Sequence, residues 1–211
     1  MSNILIVDDH AVVRNGIRDF LAADRSIRAI GEASTGAEML ERLQESTWDV
    51  VVLDIGMPDR NGIDLLRHLR SVHPDTKVLV MSGFPERQYA VSVIRAGACG
   101  YLSKQSAPED LLKAINAVVC GRCYVSAAVA ELLVAGMDSN ADDPLHSTLS
   151  PREFQILCKL AAGVTVSRIA AQLRISIKTV STYRSRLLEK MQFKTNADLT
   201  TYALRSGLLA M

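Results

Sequence analysis

Asp49-Val50-Val51-Val52-Leu53-Asp54 decides how the first half of this 211-residue chain is read. Four branched apolar residues in succession, with a carboxylate at each end, fit a strand buried on both faces that meets water only at its tips. Towards the N-terminus, Asn3-Ile4-Leu5-Ile6-Val7 has the same character and ends on Asp8 and Asp9. Ile27 to Ala33 reads as another strand, and towards the C-terminus so do Lys77 to Ser82 and Cys99 to Ser103. The segments between them carry apolar residues at helical spacing: Val13, Ile17, Phe20 and Leu21; Ala37 to Gln44; Ile63, Leu66 and Leu69; Glu86 to Ala96; Leu111, Leu112, Ile115 and Val119. Five strand–helix units in succession predict an α/β domain over residues 1–121, a doubly wound, five-stranded parallel sheet with helices on both faces.

The pattern then changes. Val125 to Ala135 suits one more helix, and Met137 to Pro144 is polar and without periodicity, so residues 122–147 read as a linker with a helix in it. Residues 148–211 are helical throughout and form a small all-α domain. Ser150-Pro151-Arg152-Glu153 combines an N-cap serine, proline at the first helical position and glutamate three residues on. Gly163 ends that helix. Thr165 caps a short helix carrying Ile169, Ala170 and Leu173, and Ser176 caps a longer one with Val180, Leu187 and Met191 turned inward. Two such helices across a tight turn describe a helix-turn-helix.

Charge divides the chain in the same place. Residues 1–147 carry 14 Lys+Arg against 20 Asp+Glu, and residues 148–211 carry 10 against 3, so a net −6 half is joined to a net +7 half. A basic module beside an acidic one points to a polyanionic partner for the second. The longest apolar runs are far too short for a bilayer span. Met1-Ser2-Asn3 leads straight into a strand with no basic region before it, which predicts a cytoplasmic chain. Cys120 and Cys123 have CxxC spacing but no second pair or histidine partner, and the four cysteines are expected to be reduced thiols.

In a doubly wound sheet, chemistry gathers at the carboxyl ends of the strands. Asp8 and Asp9 follow the first strand, Asp54 closes the third, Ser82 the fourth, and Lys104 follows the fifth. Three carboxylates in one cleft repel unless a cation joins them, and a hard ion with oxygen ligands, Mg²⁺, suits the set. A carboxylate beside Mg²⁺ and an ammonium can attack a phosphoryl group in line, and the central Asp54 is the expected nucleophile. Asp9, Asp54 and the Gly56 carbonyl are the expected metal ligands, with Asp8 behind them.

Val7-Asp8-Asp9-His10, Leu53-Asp54-Ile55-Gly56-Met57-Pro58, Met81-Ser82-Gly83 and Gly100-Tyr101-Leu102-Ser103-Lys104 together resemble the motif set of two-component receiver domains, whose sheet is flavodoxin-like. The resemblance implies phosphoryl transfer to Asp54 from a sensor histidine kinase, and a switch in which Ser82 moves toward the phosphoryl group while Tyr101 turns inward. Asp59 stands where many relatives have glycine. Leu149 to Glu153 with Ile169 to Ser176, Thr179 and Val180 resemble the LuxR-type helix-turn-helix, which places the chain with the NarL/FixJ class of response regulators. On the long second helix Lys178, Thr179, Ser181, Thr182, Arg184, Ser185, Arg186 and Lys190 are the expected DNA contacts, small polar groups for base edges and cations for phosphates. Ser181 stands where many members carry lysine. Leu199 and Tyr202 fit either a dimer face on inverted-repeat DNA or the core of the domain, and pairing through the receiver is an alternative route to a homodimer after phosphorylation.

Other readings compete. An aspartyl-phosphate phosphohydrolase usually needs a second acid two residues after its nucleophile, and Gly56 stands there. At most, slow self-phosphorylation from small donors and self-dephosphorylation are expected. A DNA binder with a vestigial receiver is disfavoured by the complete pocket, and a purely protein-binding adaptor by the basic second half.

Overall fold

In the computed structural model the described residues are 1–57, 62–84, 86–135, 145–173, 175–206 and 208. They form two compact units, Met1–Asn140 and Ala141–Met211. The expected linker segment Met137 to Pro144 and the loop position Asp59 lie outside the described residues.

In the first unit β1 (Ser2–Val7), β2 (Ile27–Ala33), β3 (Val50–Leu53), β4 (Lys77–Ser82) and β5 (Gly100–Ser103) alternate with α1 (Ala11–Ala22), α2 (Gly36–Glu45), α3 (Gly62–Val72), α4 (Glu86–Arg95) and α5 (Pro108–Val119). Every pairing is parallel and the order is β2-β1-β3-β4-β5, so β1 and β3 lie side by side at the centre, where the chain reverses its winding direction. All four residues of β3 are buried, as its unbroken apolar run requires. Side chains alternate across the pleat. Ile4, Ile6, Val50, Val52, Leu79 and Leu102 meet Ile17 and Leu21 of α1 and Leu111, Ala114, Ile115 and Val118 of α5 in one core layer. The strand residues between them, Leu5, Val7, Val51, Leu53, Val78 and Val80, are equally buried.

After α5 the chain passes beside β5, where Tyr124 forms a single parallel bridge with Gly100. It then forms α6 (Ala127–Ala135), which packs on α4 with Val129 fully buried.

The second unit holds a 3-10 turn (Leu145–Thr148), α7 (Pro151–Ala161), α8 (Val166–Leu173), α9 (Ile177–Lys190) and α10 (Asn196–Arg205). Its core is built from Phe154, Ile156, Leu157 and Leu160 of α7, Ile169 of α8, Val180 and Leu187 of α9, and Leu199 and Ala203 of α10. The Ser150 cap closes into a full capping box, Ser150 accepting the Glu153 N–H and Glu153 accepting the Ser150 N–H. Gly163, at φ 77°, takes the left-handed conformation that ends α7. Ser176 accepts the Thr179 N–H at 3.0 Å and starts α9.

Candidate functional site

Strand ends bring the expected carboxylates together. The pairing of β1 with β3 sets Val7 opposite Leu53, so Asp8 and Asp54 leave the sheet side by side, and the Asp54 N–H donates to the Val7 carbonyl at 2.8 Å. Both are buried, Asp54 with 4% of its surface exposed. Lys104, one residue beyond β5, reaches back across β4 to pair with Asp8 Oδ2 and with Asp54 Oδ2, the latter at 2.7 Å. The Gly56 N–H donates to the other Asp54 oxygen at 2.7 Å. A side chain at Gly56 would crowd that carboxylate, since a Cβ would lie 3.2 Å from Asp54 Oδ1.

Burial is the largest influence on Asp54 and, with the Asp8 charge, holds its carboxyl above the usual range against the pull of Lys104 and the Gly56 N–H. Burial also works to discharge Lys104, but the two carboxylates outweigh it and its pKa is raised. Asp9 sits nearer the mouth, and donor atoms of Asp8, Asp9, His10 and Asp54 all lie within 4.8 Å of one another. Clustered carboxylate oxygens at this spacing are the donor set a hard divalent cation takes, so the residues fit Mg²⁺.

Ser82 and Tyr101 form a second group beside the first. Ser82 is fully buried and its hydroxyl accepts the Phe84 N–H at 3.3 Å. Tyr101 is only 1% exposed and already turned in, its hydroxyl donating to the Phe84 carbonyl at 2.8 Å. Burial pushes the phenol well above its ordinary pKa, against a hydrogen bond with Ser82. Phe84, which the sequence reading passed over, therefore joins the two expected switch residues through its backbone. A second omission is Arg14 of α1, which donates to the Asp8 carbonyl at 2.6 Å and pairs with Glu32 of β2, fixing the loop that carries Asp8 and Asp9. The only hint of Arg14 in sequence is that it lies one helical turn into α1.

On the second unit, Lys178, Ser181, Thr182, Ser185 and Arg186 are exposed along one side of α9, away from buried Val180 and Leu187. Thr179 is half-buried, its hydroxyl 2.7 Å from that of Ser176. Thr182 and Ser185 donate their hydroxyl protons to the Lys178 and Ser181 carbonyls, which leaves lone pairs directed outward. Two expected phosphate contacts have partners inside the unit. Arg184 donates to Asn196 Oδ1 at 2.8 Å, tying α9 to α10, and Lys190 pairs at 2.8 Å with Glu153, whose buried carboxylate needs a counter-charge. Ile177 at the start of α9 is an exposed apolar residue, with 58% of its surface open. Leu199 lies in the core, and Tyr202 is held by His146 at 2.6 Å with its ring tilted against that of Phe193, so the large exposed apolar residue of α10 is Leu204 at 54%. Among the described residues no helix is long and apolar enough to cross a membrane.

Comparison with known proteins finds a family for each half of the chain. The response regulator receiver domain family matches residues 4–116, and the LuxR family of bacterial regulatory proteins matches residues 147–203. The chain is 34% identical over 209 residues to the response regulator UvrY of Escherichia coli K12, covering 99% of this chain and 96% of UvrY. It is 34% identical over 210 residues to the response regulator GacA of Pseudomonas aeruginosa, covering 99% and 98%. Among solved structures it resembles RcsB in a two-component response regulator–DNA complex, with 27% identity, TM-score 0.59 and coverage of 95% and 96%. It also resembles RcsB of Salmonella enterica serovar Typhimurium bound to the rprA promoter with a beryllofluoride phosphomimetic, with 26% identity, TM-score 0.61 and coverage of 96% and 98%.

Proposed function

From the premise that the chain belongs to the NarL/FixJ-class response regulators, a receiver followed by a LuxR-type helix-turn-helix, we propose the chemistry by which its own residues regulate transcription. Asp54 accepts the phosphoryl group. One of its carboxylate oxygens attacks phosphorus in line, a P–O bond forms, and the P–N bond to the histidine of a sensor kinase breaks, returning its electron pair to the imidazole. The observation that carries this reading is the buried Asp54 carboxylate held between the Lys104 ammonium and the Gly56 N–H.

Each neighbour has a task. Lys104, charged and fixed, balances charge on the transferring oxygens. Asp9, Asp54 and the Gly56 carbonyl would hold Mg²⁺, with Asp8 behind them, and the ion would offset the negative charge of the carboxylates and the phosphoryl oxygens. Ser82 moves toward the phosphoryl group, giving up the Phe84 N–H, and inward-turned Tyr101 closes behind it. No second acid stands at Gly56, which supports a phosphoacceptor over a hydrolase, with slow self-phosphorylation from small donors and slow self-dephosphorylation.

Lys178, Thr179, Ser181, Thr182, Ser185 and Arg186 of α9 meet duplex DNA, while Arg184 and Lys190 hold that helix in place. Phosphorylated chains act as homodimers on inverted repeats, and exposed Leu204 suits a contact between copies through α10. The reading places the protein in the cytoplasm, with residues 1–121 as receiver, 122–147 as linker and 148–211 as the DNA-binding domain. Incubation with acetyl phosphate and Mg²⁺ tests the acceptor: one phosphoryl group should appear by intact mass on wild type and none on Asp54→Asn. Equal labelling of the two would reject Asp54.

A further inference from the structure

Cys120 and Cys123 have a redox spacing in sequence, but the fold gives Cys123 a different neighbour. Cys120 sits at the end of α5, and the chain then turns through Gly121 at φ 75°, with the Arg122 N–H donating to the Ala117 carbonyl at 2.9 Å. Cys123 lies beyond that turn, where the chain joins the edge of the sheet. The Tyr124 N–H donates to the Cys99 carbonyl at 3.0 Å, and the Tyr101 N–H donates to the Tyr124 carbonyl at 2.9 Å, the parallel ladder pattern about Gly100 and Tyr124. One step back along both segments, the same register sets Cys123 beside Cys99. Cys99 is fixed from its other side, its N–H donating to the Val78 carbonyl at 2.7 Å.

Neighbouring strands lie about 4.8 Å apart, and a disulfide spans about 4.4–6.8 Å between Cα atoms. Residues in register leave the pleat on the same side. A cysteine pair so placed is within reach of a link. Both are free thiols, Cys123 exposed and Cys99 half-buried. Burial, and then the charge a Cys99 thiolate would carry, push the Cys123 thiol above its ordinary pKa. Thiolate is therefore scarce at neutral pH, and the pair stays reduced until an oxidant reaches it.

We infer that Cys99 and Cys123 form a reversible dithiol–disulfide site, oxidised by a low-molecular-weight disulfide of the glutathione type. The exposed Cys123, as thiolate, attacks one sulfur of the small disulfide, whose S–S bond breaks and releases one thiolate. Cys99, as thiolate, then attacks Cys123 Sγ in the mixed disulfide, forming the protein S–S bond and releasing the second. The released thiolates take up the two protons, so two protein thiols are oxidised and one small disulfide is reduced to two thiols. The new bond ties the exit of α5 to β5 and holds the Tyr124 carbonyl on the Tyr101 N–H.

The test incubates the native full-length protein with oxidised glutathione, blocks remaining thiols with N-ethylmaleimide, and reads intact mass and non-reducing peptide maps. Wild type and Cys120→Ser should both lose two hydrogens and yield the Cys99 peptide joined to that of Cys123, and dithiothreitol should reverse the change. Cys99→Ala should stop at a glutathione adduct on Cys123. In the linked form the Tyr101 N–H should exchange with solvent several-fold more slowly. A link between Cys120 and Cys123, a stable glutathione adduct on wild type, or no reaction at all overturns the site. A Cys99–Cys123 link that leaves Tyr101 exchange unchanged overturns its hold on β5.

Discussion

Glu153 shows how much one side chain can decide. Its burial works to raise its pKa, but the Lys190 ammonium and the Ser150 N–H outweigh that and hold the carboxyl below the usual range. A carboxylate with a depressed folded pKa contributes stability that is present above its unfolded value and is lost as pH falls through the folded one. Glu153→Gln should therefore cost about 1–2 kcal/mol near neutral pH, discounted because Lys190 is partly exposed. The difference from wild type should shrink in thermal melts below about pH 4. Asp54 has the opposite sign. Its folded pKa is raised, so its ionised form costs stability, a cost absent where the group is protonated in both states and fully present above the folded pKa. Asp54→Asn should raise the melting temperature of the receiver near neutral pH and lose that advantage in acid; a lower melting temperature near neutral pH would contradict the balance of forces given for the pocket. The pocket carboxylates were legible in sequence because parallel-sheet topology alone carries strand ends to one rim. Lys190 was not, since its partner lies 37 residues away on α7 and only the folded unit shows that Glu153 is buried.

Helices and strands were legible wherever local chemistry fixes them. Ser150, Gly163 and Ser176 marked their helix ends, and β1, β3 and β4 came from apolar runs that suit buried strands. Missed was the capping box of Thr195 and Asp198, which starts α10, although threonine followed three residues later by an acid is a readable signal. The inward position of Leu199 was undecidable, because an amphipathic helix has the same period against its own domain as against a second copy. Ser176→Ala removes the cap of α9 and should cost about 1 kcal/mol, with a loss of DNA affinity from fraying of the turn that carries Lys178 and Thr179. Gly62 begins α3 against the β3 exit, where a Cβ would fall 2.4 Å from the Ile55 Cα. Backbone cannot yield as a flexible side chain would, so Gly62→Ala should destabilise the receiver by about 1–3 kcal/mol in denaturant unfolding.

For the molecule as a whole, the division of charge carries the functional argument: residues 1–147 are net acidic and residues 148–211, which hold the helix-turn-helix, are net basic. If each copy in a dimer commits Lys178 and Arg186 to phosphates, log affinity should fall with log salt at a slope of roughly −3 to −4. Replacing both side chains by alanine should flatten that slope without unfolding the unit, since neither is buried. The central claim is that phosphate on Asp54 governs DNA binding, and its most direct test is duplex affinity with and without a small phosphodonor plus Mg²⁺, for wild type beside Asp54→Ala. The donor should tighten binding by wild type and leave the variant unchanged. Wild-type binding that is equally tight in both conditions would contradict it, leaving a helix-turn-helix that binds DNA without control from Asp54.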